Sequence, residues 1–150
     1  MPRRRKRTSR SLVQQPDKPA VFTIGYAGRT REDFLKILKD HQIEVIVDVR
    51  RWPTSKQFPD FVKERMMKWV PESGLEYVWM GDALGGYRKG GYASYMQTEE
   101  YQKAIEQLAA LARKKRVCLL CVERTHRACH RRFIAQSLLQ LGFRVVHLEE

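Results

Sequence analysis

From Val21 to Leu148 short apolar runs alternate with stretches whose apolar residues recur every three or four positions. VFTIG (21–25) reads as a strand ending in glycine. Thr30 is placed to cap a helix, with Glu32 and Asp33 in its first turn and Phe34, Leu35, Ile37 and Leu38 as its buried stripe. IEVIVDV (43–49) is β-branched and almost continuously apolar, the mark of a strand covered on both faces. RRWPTSKQFP (50–59) carries two prolines and reads as a loop, followed by a helix over 60–70.

LEYVWM (75–80) is a third strand, and the glycine-rich GDALGGYRKGGYASY (81–95) has no regular period. Thr98, followed by Glu99 and Glu100, starts a long helix through Arg113. RVCLLCV (116–122) is a fourth buried strand. A helix over 128–141 carries Phe133, Ile134, Leu138 and Leu141 on one side and stops at Gly142. FRVVHL (143–148) is the last strand. The order β-α-β-α-β-α-β-α-β predicts an α/β fold: a single domain over 19–150, with a mostly parallel five-stranded sheet and helices on both faces. Residues 1–18 are polar, basic and without period, and read as a flexible arm.

Charge sharpens this picture. The 150 residues carry 29 Lys and Arg against 17 Asp and Glu, a net +12. Six of the basic residues lie in the first ten, so the rest keeps 23 against 17, a net +6, and is basic without its arm. Such a balance points to a polyanion, most simply nucleic acid and DNA before RNA, although a solubility charge has the same composition. No apolar run reaches the length of a membrane span, and no apolar stretch follows the basic start as a secretory signal requires. Three cysteines form no disulfide framework and fit a reducing cytoplasm.

In open α/β sheets ligands bind beyond the carboxyl ends of the strands. Just past those ends lie Gly25 and Tyr26; Asp48, Arg50, Arg51 and Trp52; Asp82 to Arg88; and Glu123 to Arg131. The last group belongs to CVERTHRACHRR (121–132), which offers three kinds of chemistry. Cys118-x-x-Cys121 has the spacing of half a zinc site, but residues three apart on a strand point to opposite faces. Cys129, beside His130 and between Arg127 and Arg131 at a helix start, has surroundings that favour a thiolate. It reads equally well as a small residue fastening the helix to the sheet. Arg124, Arg127, Arg131 and Arg132 surround the same helix start and form a cradle for an anion, with Arg50 and Arg51 arriving from one neighbouring loop and Arg88 from another.

Asp48 and Glu123 end two buried strands. Each is a partner for a nearby arginine, or a carboxylate that activates water or stabilises a cation. Tyr26, Trp52 and Tyr87 could stack on an extruded base or simply cover the core.

TIGY (23–26), VDVRRWPTSKQFPDF (47–61), the LGG of 84–86, YASYMQTEEYQKAIEQL (92–108) and LLCVERTHRACHRRFIA (119–135) together resemble the family called domain of unknown function 488. The likeness runs from about Val21 to Leu148. It implies a small α/β protein with Rossmann-like or rhodanese-like layering, marked by Cys121 and Cys129. Its motif positions fall on Gly25, Asp48, Arg50, Pro53, Ser55, Gly85, Tyr95, Glu123, His130 and Arg131. IVDVR (46–50) also resembles rhodanese-like sulfurtransferases, whose catalytic cysteine lies between a strand and a helix.

The function expected from these residues is hydrolysis at a nucleobase, as in a DNA glycosylase. Asp48 or Glu123 would be the catalytic carboxylate and Tyr26, Trp52 and Tyr87 the base pocket. Arg50, Arg51, Arg88, Arg124, Arg127 and Arg131 would hold phosphates. That chemistry calls for no metal and no cofactor. A thiol-dependent sulfurtransferase using Cys129, and a non-catalytic nucleic-acid-binding module, are the alternatives.

Overall fold

The computed structural model describes residues 18–124 and 130–149. The basic arm therefore lies outside the described residues up to Asp17, as do Arg127 and Cys129. Five strands form one all-parallel sheet in the order β3-β2-β4-β1-β5. They are β1 (Ala20–Gly25), β2 (Val45–Asp48), β3 (Glu76–Trp79), β4 (Val117–Cys121) and β5 (Arg144–Leu148). The helices are α1 (Arg31–Asp40), α2 (Lys63–Glu72), α3 (Gly81–Leu84), α4 (Tyr92–Tyr95), α5 (Glu99–Lys114) and α6 (Arg131–Gln140).

The two sides of the sheet have separate cores. On one, Phe22, Ile24, Ile46, Cys118 and Leu120 pack against Phe34 and Leu38 of α1 and Met66 and Trp69 of α2. On the other, Val21, Val45, Val47, Leu119 and Cys121 pack against Tyr101 and Leu108 of α5 and Ile134 and Leu138 of α6. The chain moves outward from β1 to β2 and β3 with α1 and α2 on the first side. It then returns across the sheet to β4 and β5 with α5 and α6 on the second. Right-handed crossovers dictate this change of side when the direction of travel reverses. β2 and β4 are neighbours whose following loops diverge to opposite faces, and such a parting leaves a crevice.

Local signals agree with the elements. Thr30 and Thr98 cap α1 and α5, accepting from the backbone N–H of Asp33 (3.0 Å) and Tyr101 (3.3 Å). Gly142, at φ +95°, follows the end of α6 in the left-handed conformation that a helix stop favours. Two expectations needed correction. The stretch 60–70 splits into a 3₁₀ turn at Pro59–Phe61 and α2, which continues through Pro71 to Glu72. The irregular 81–95 contains the short helices α3 and α4, too brief for any period to register. No helix among the described residues is long and apolar enough to cross a membrane.

Candidate active site at the carboxyl edge of the sheet

A cavity of about 330 Å³ opens in the crevice between the ends of β2 and β4. Arg50, Arg51 and Trp52 enter it from the loop after β2, and Gly86 and Tyr87 from the connection after α3. Cys121, Val122 and Glu123 line it from the end of β4, and His130 from the start of α6. Three glycines let these loops approach so closely. A Cβ on Gly25 would lie 1.6 Å from the Glu123 carbonyl oxygen, one on Gly81 1.7 Å from that of Arg50, and one on Gly85 2.5 Å from Cβ of Arg51. Beyond Gly25 the chain continues alongside β4, with the Tyr26 and Ala27 N–H groups donating to the Cys121 and Val122 carbonyls. Gly25→Ala is therefore expected to force β1 and β4 apart at this end and to lower stability by about 1–3 kcal/mol. Urea unfolding measures this directly, and an unchanged midpoint would show that the loops yield without cost.

The aromatic pair at the cavity is unusually exposed. Trp52 and Tyr87 show 60% and 84% of their surface, with ring centroids 5.5 Å apart. Arg51 holds both: its Nη1 donates to the Tyr87 carbonyl (2.8 Å) and its guanidinium lies over the Trp52 ring. Tyr87 itself has φ +60°, a conformation that a bulky side chain adopts only when its surroundings enforce it.

His130 is oriented by the sheet. Its Nε2 lies 2.9 Å from the Val49 carbonyl, which can only accept, so Nε2 carries the hydrogen. In the neutral ring this leaves the lone pair on Nδ1, which faces Gly86. Glu123 is exposed at the side chain, while its backbone is fixed: Nη2 of Arg131 donates to its carbonyl at 2.7 Å. A second hollow of about 340 Å³ adjoins through Arg51 and is lined by Arg88, Lys89, Ser94, Tyr95 and Thr98. Arg88 is tied there by bonds to the carbonyls of Gly85 (2.8 Å) and Asp82 (2.5 Å) and lies over the Tyr95 ring.

Several residues expected at the site are placed elsewhere. Asp48 is fully buried on the α1–α2 side, because it shares the side-chain direction of Ile46. Its Oδ1 accepts from the backbone N–H (3.1 Å) and Nε (2.8 Å) of Arg50, and its Oδ2 from Nη2 of Arg50 (2.6 Å) and the Tyr77 hydroxyl. Four donors saturate the carboxylate, leaving it no capacity to handle a water. Burial and then the Asp48 charge push the Tyr77 phenol well above its ordinary range, so it remains a donor. Burial opposes the charge on Arg50, but the Asp48 hydrogen bonds and charge outweigh it and hold the guanidinium ionised.

Tyr26 is also in the α1–α2 core, stacked on Phe61 at 4.8 Å, with the Arg50 guanidinium 5.1 Å from its ring centroid. Arg131, expected to meet phosphate at the surface, is wholly buried and donates to Thr23 Oγ1 (3.0 Å) and to Glu123. A guanidinium so enclosed supports the loop from beneath. Arg124 is exposed and reaches the Ala27 carbonyl at 3.5 Å. Cys118 and Cys121 point into opposite cores, as their spacing requires, and burial pushes the Cys118 thiol up, away from thiolate chemistry.

Trp52, Tyr87, Arg51 and Glu123 are thus brought together. Arg50, expected to hold phosphate, reaches the cavity wall but is buried and tied to Asp48, and with Asp48, Tyr26 and Arg131 it serves as support. His130 is among the lining residues, with Gly86, Cys121 and Val122, that the sequence did not single out as site residues. Its place immediately before α6, in a run already rich in polar groups, was the available signal.

The family model described as Domain of unknown function DUF488 matches residues 30–138. That span includes every segment lining the cavity. No curated protein and no solved structure matches the chain. The match covers well over half of the sequence and agrees with the motifs from Asp48 to Arg131, and the chain belongs to the DUF488 family.

Proposed function

We propose that this protein is a nucleic-acid-directed hydrolase that cleaves the N-glycosidic bond of a modified or damaged base in DNA. The observation that carries the reading is the exposed Trp52–Tyr87 pair on a cavity that Glu123 and His130 also line. At about 330 Å³ the cavity is near the lower end of small-molecule sites, which run from about 300 to 1,000 Å³. A single flipped base suits that size and those aromatic walls. Glu123 stabilises the sugar cation or takes a proton from the attacking water. Water adds at the sugar carbon, and the carbon–nitrogen bond breaks with its electron pair going to the base. The departing base takes up a proton, for which His130 is the nearby relay. Arg51, Arg88 and Lys89, in the adjoining hollow, meet the flanking phosphates.

Incubation with duplex DNA carrying a panel of modified bases, followed by alkaline cleavage of abasic sites, tests the proposal. Strand breaks at one class of modified base are expected. Tight binding with no cleavage at any base would leave only a binding module.

A thiol-dependent transfer by Cys129 is the second reading, supported by its position in the sequence between Glu123 and His130, which both line the cavity. It requires Cys129→Ser to abolish turnover per folded molecule, whereas base hydrolysis tolerates that change.

A further inference from the structure

A second basic concavity, of about 570 Å³, lies at the opposite edge of the sheet. Lys18 leads into β1, Arg116 precedes β4, and Arg144 opens β5, so three of its cations come from strand starts. Arg113, Lys114 and Lys115 come from the end of α5. Cations there offset the negative end of the helix dipole, and that effect alone would account for the α5 group. It does not account for Lys18, Arg116 and Arg144. Some of the charge is already engaged. Lys115 pairs with Glu76 at 2.8 Å, and Arg116 donates twice to the His41 carbonyl at 2.9 and 3.0 Å. Glu44, the acidic residue lining the concavity, is committed to the Arg116 backbone N–H at 2.8 Å. Lys18, Lys114 and Arg144 are exposed and make no side-chain hydrogen bond or ion pair among the described residues.

We infer that this amino-edge cleft is a separate binding surface for the sugar–phosphate backbone of duplex nucleic acid. Its apolar lining is Pro19, Ala20 and Ala112. Among the described residues that line it there is no aromatic to stack on an unpaired base and no large apolar residue to enter a bilayer. Cations from four elements spread across an open concavity suit a repeating anion more than one compact phosphate. Strands of four to six residues put the two edges on the order of 15 Å apart. The cleft therefore grips backbone at a distance from the cavity, and it stands whether or not the cavity cleaves bases.

The test compares the full chain with its Lys18→Glu, Lys114→Glu, Arg144→Glu variant, titrating a mixed-sequence duplex by fluorescence anisotropy at several salt concentrations. The variant is expected to bind at least tenfold more weakly at low salt. The slope of log K against log salt should fall by about 2 to 3, since each lost phosphate contact removes about 0.9. A variant with unchanged melting, affinity and slope would remove the cleft from the interface. Competition by poly-L-glutamate, or by vesicles of phosphatidylserine and phosphatidylcholine, as effective as that of the duplex would overturn the assignment to nucleic acid.

Discussion

Glu123→Gln is expected to slow base release by about 10²- to 10⁴-fold while leaving duplex affinity and the urea midpoint near wild type. The reason lies in how the residue is held. The Glu123 carbonyl is fixed by Arg131 and by its close approach to Gly25, and neither contact involves the carboxylate. The side chain is exposed, so an isosteric amide changes folding by no more than about 0.5 kcal/mol. What the amide cannot do is accept a proton from water or balance a cation at the sugar. Single-turnover kinetics on the best substrate of the modified-base panel would measure the effect. A glutamine variant cleaving within threefold of wild type would remove Glu123 from the chemistry, and with it the hydrolytic mechanism.

Asp48→Asn should have the largest effect on stability, a loss of about 3–5 kcal/mol in unfolding free energy. Asp48 and Arg50 form an ion pair at 2.6 Å whose side chains are 0% and 3% exposed. An asparagine keeps the volume but leaves the guanidinium buried without its counter-charge. It also sets an amide N–H₂ against donors that need an acceptor. The double variant Asp48→Asn, Arg50→Met removes both charges and is expected to recover part of the loss, because pairs replaced together cost far less than pairs broken. Urea midpoints at constant slope give both values. A single-variant loss under 1 kcal/mol, with no recovery in the double, would mean that water reaches the pair. Any fall in activity should then track the unfolded fraction, which separates Asp48 from Glu123 experimentally.

What separates these two acids is decided by strand order, not by local sequence. Asp48 ends β2 and Glu123 lies two residues past the end of β4, so the sequence offers both for the same role. The alternation of side chains along β2 already put Asp48 on the face of Ile46, and the alternation along β4 put Cys121 on the face of Leu119. Those directions were legible. The face on which the crevice opens was not, because it follows from strand order and from which helices cover which side. Tyr26 met the same limit: its ring continues the β1 pattern into the α1–α2 core, stacked on Phe61. Arg131 met another, since a helix start rich in arginine looks the same whether its guanidiniums face solvent or the sheet.

The elements, by contrast, came from local causes. β-branched runs made β2 and β4, threonine caps began α1 and α5, and Gly142 ended α6. The alternation of strands and helices was enough for a parallel α/β sheet, and the carboxyl edge as the place of the cavity followed from it. The net positive charge is plain in the sequence, but it does not divide the arginines. Only the folded chain sorted them, with Arg50 and Arg131 inside as supports, Arg51 and Arg88 at the cavity's margin, and Arg116 and Arg144 at the far edge. Secondary structure is set by neighbours in the sequence, so it can be read there. Which charges are buried, and which acid meets a ligand, depends on residues eighty or a hundred positions away brought together by the order of the strands.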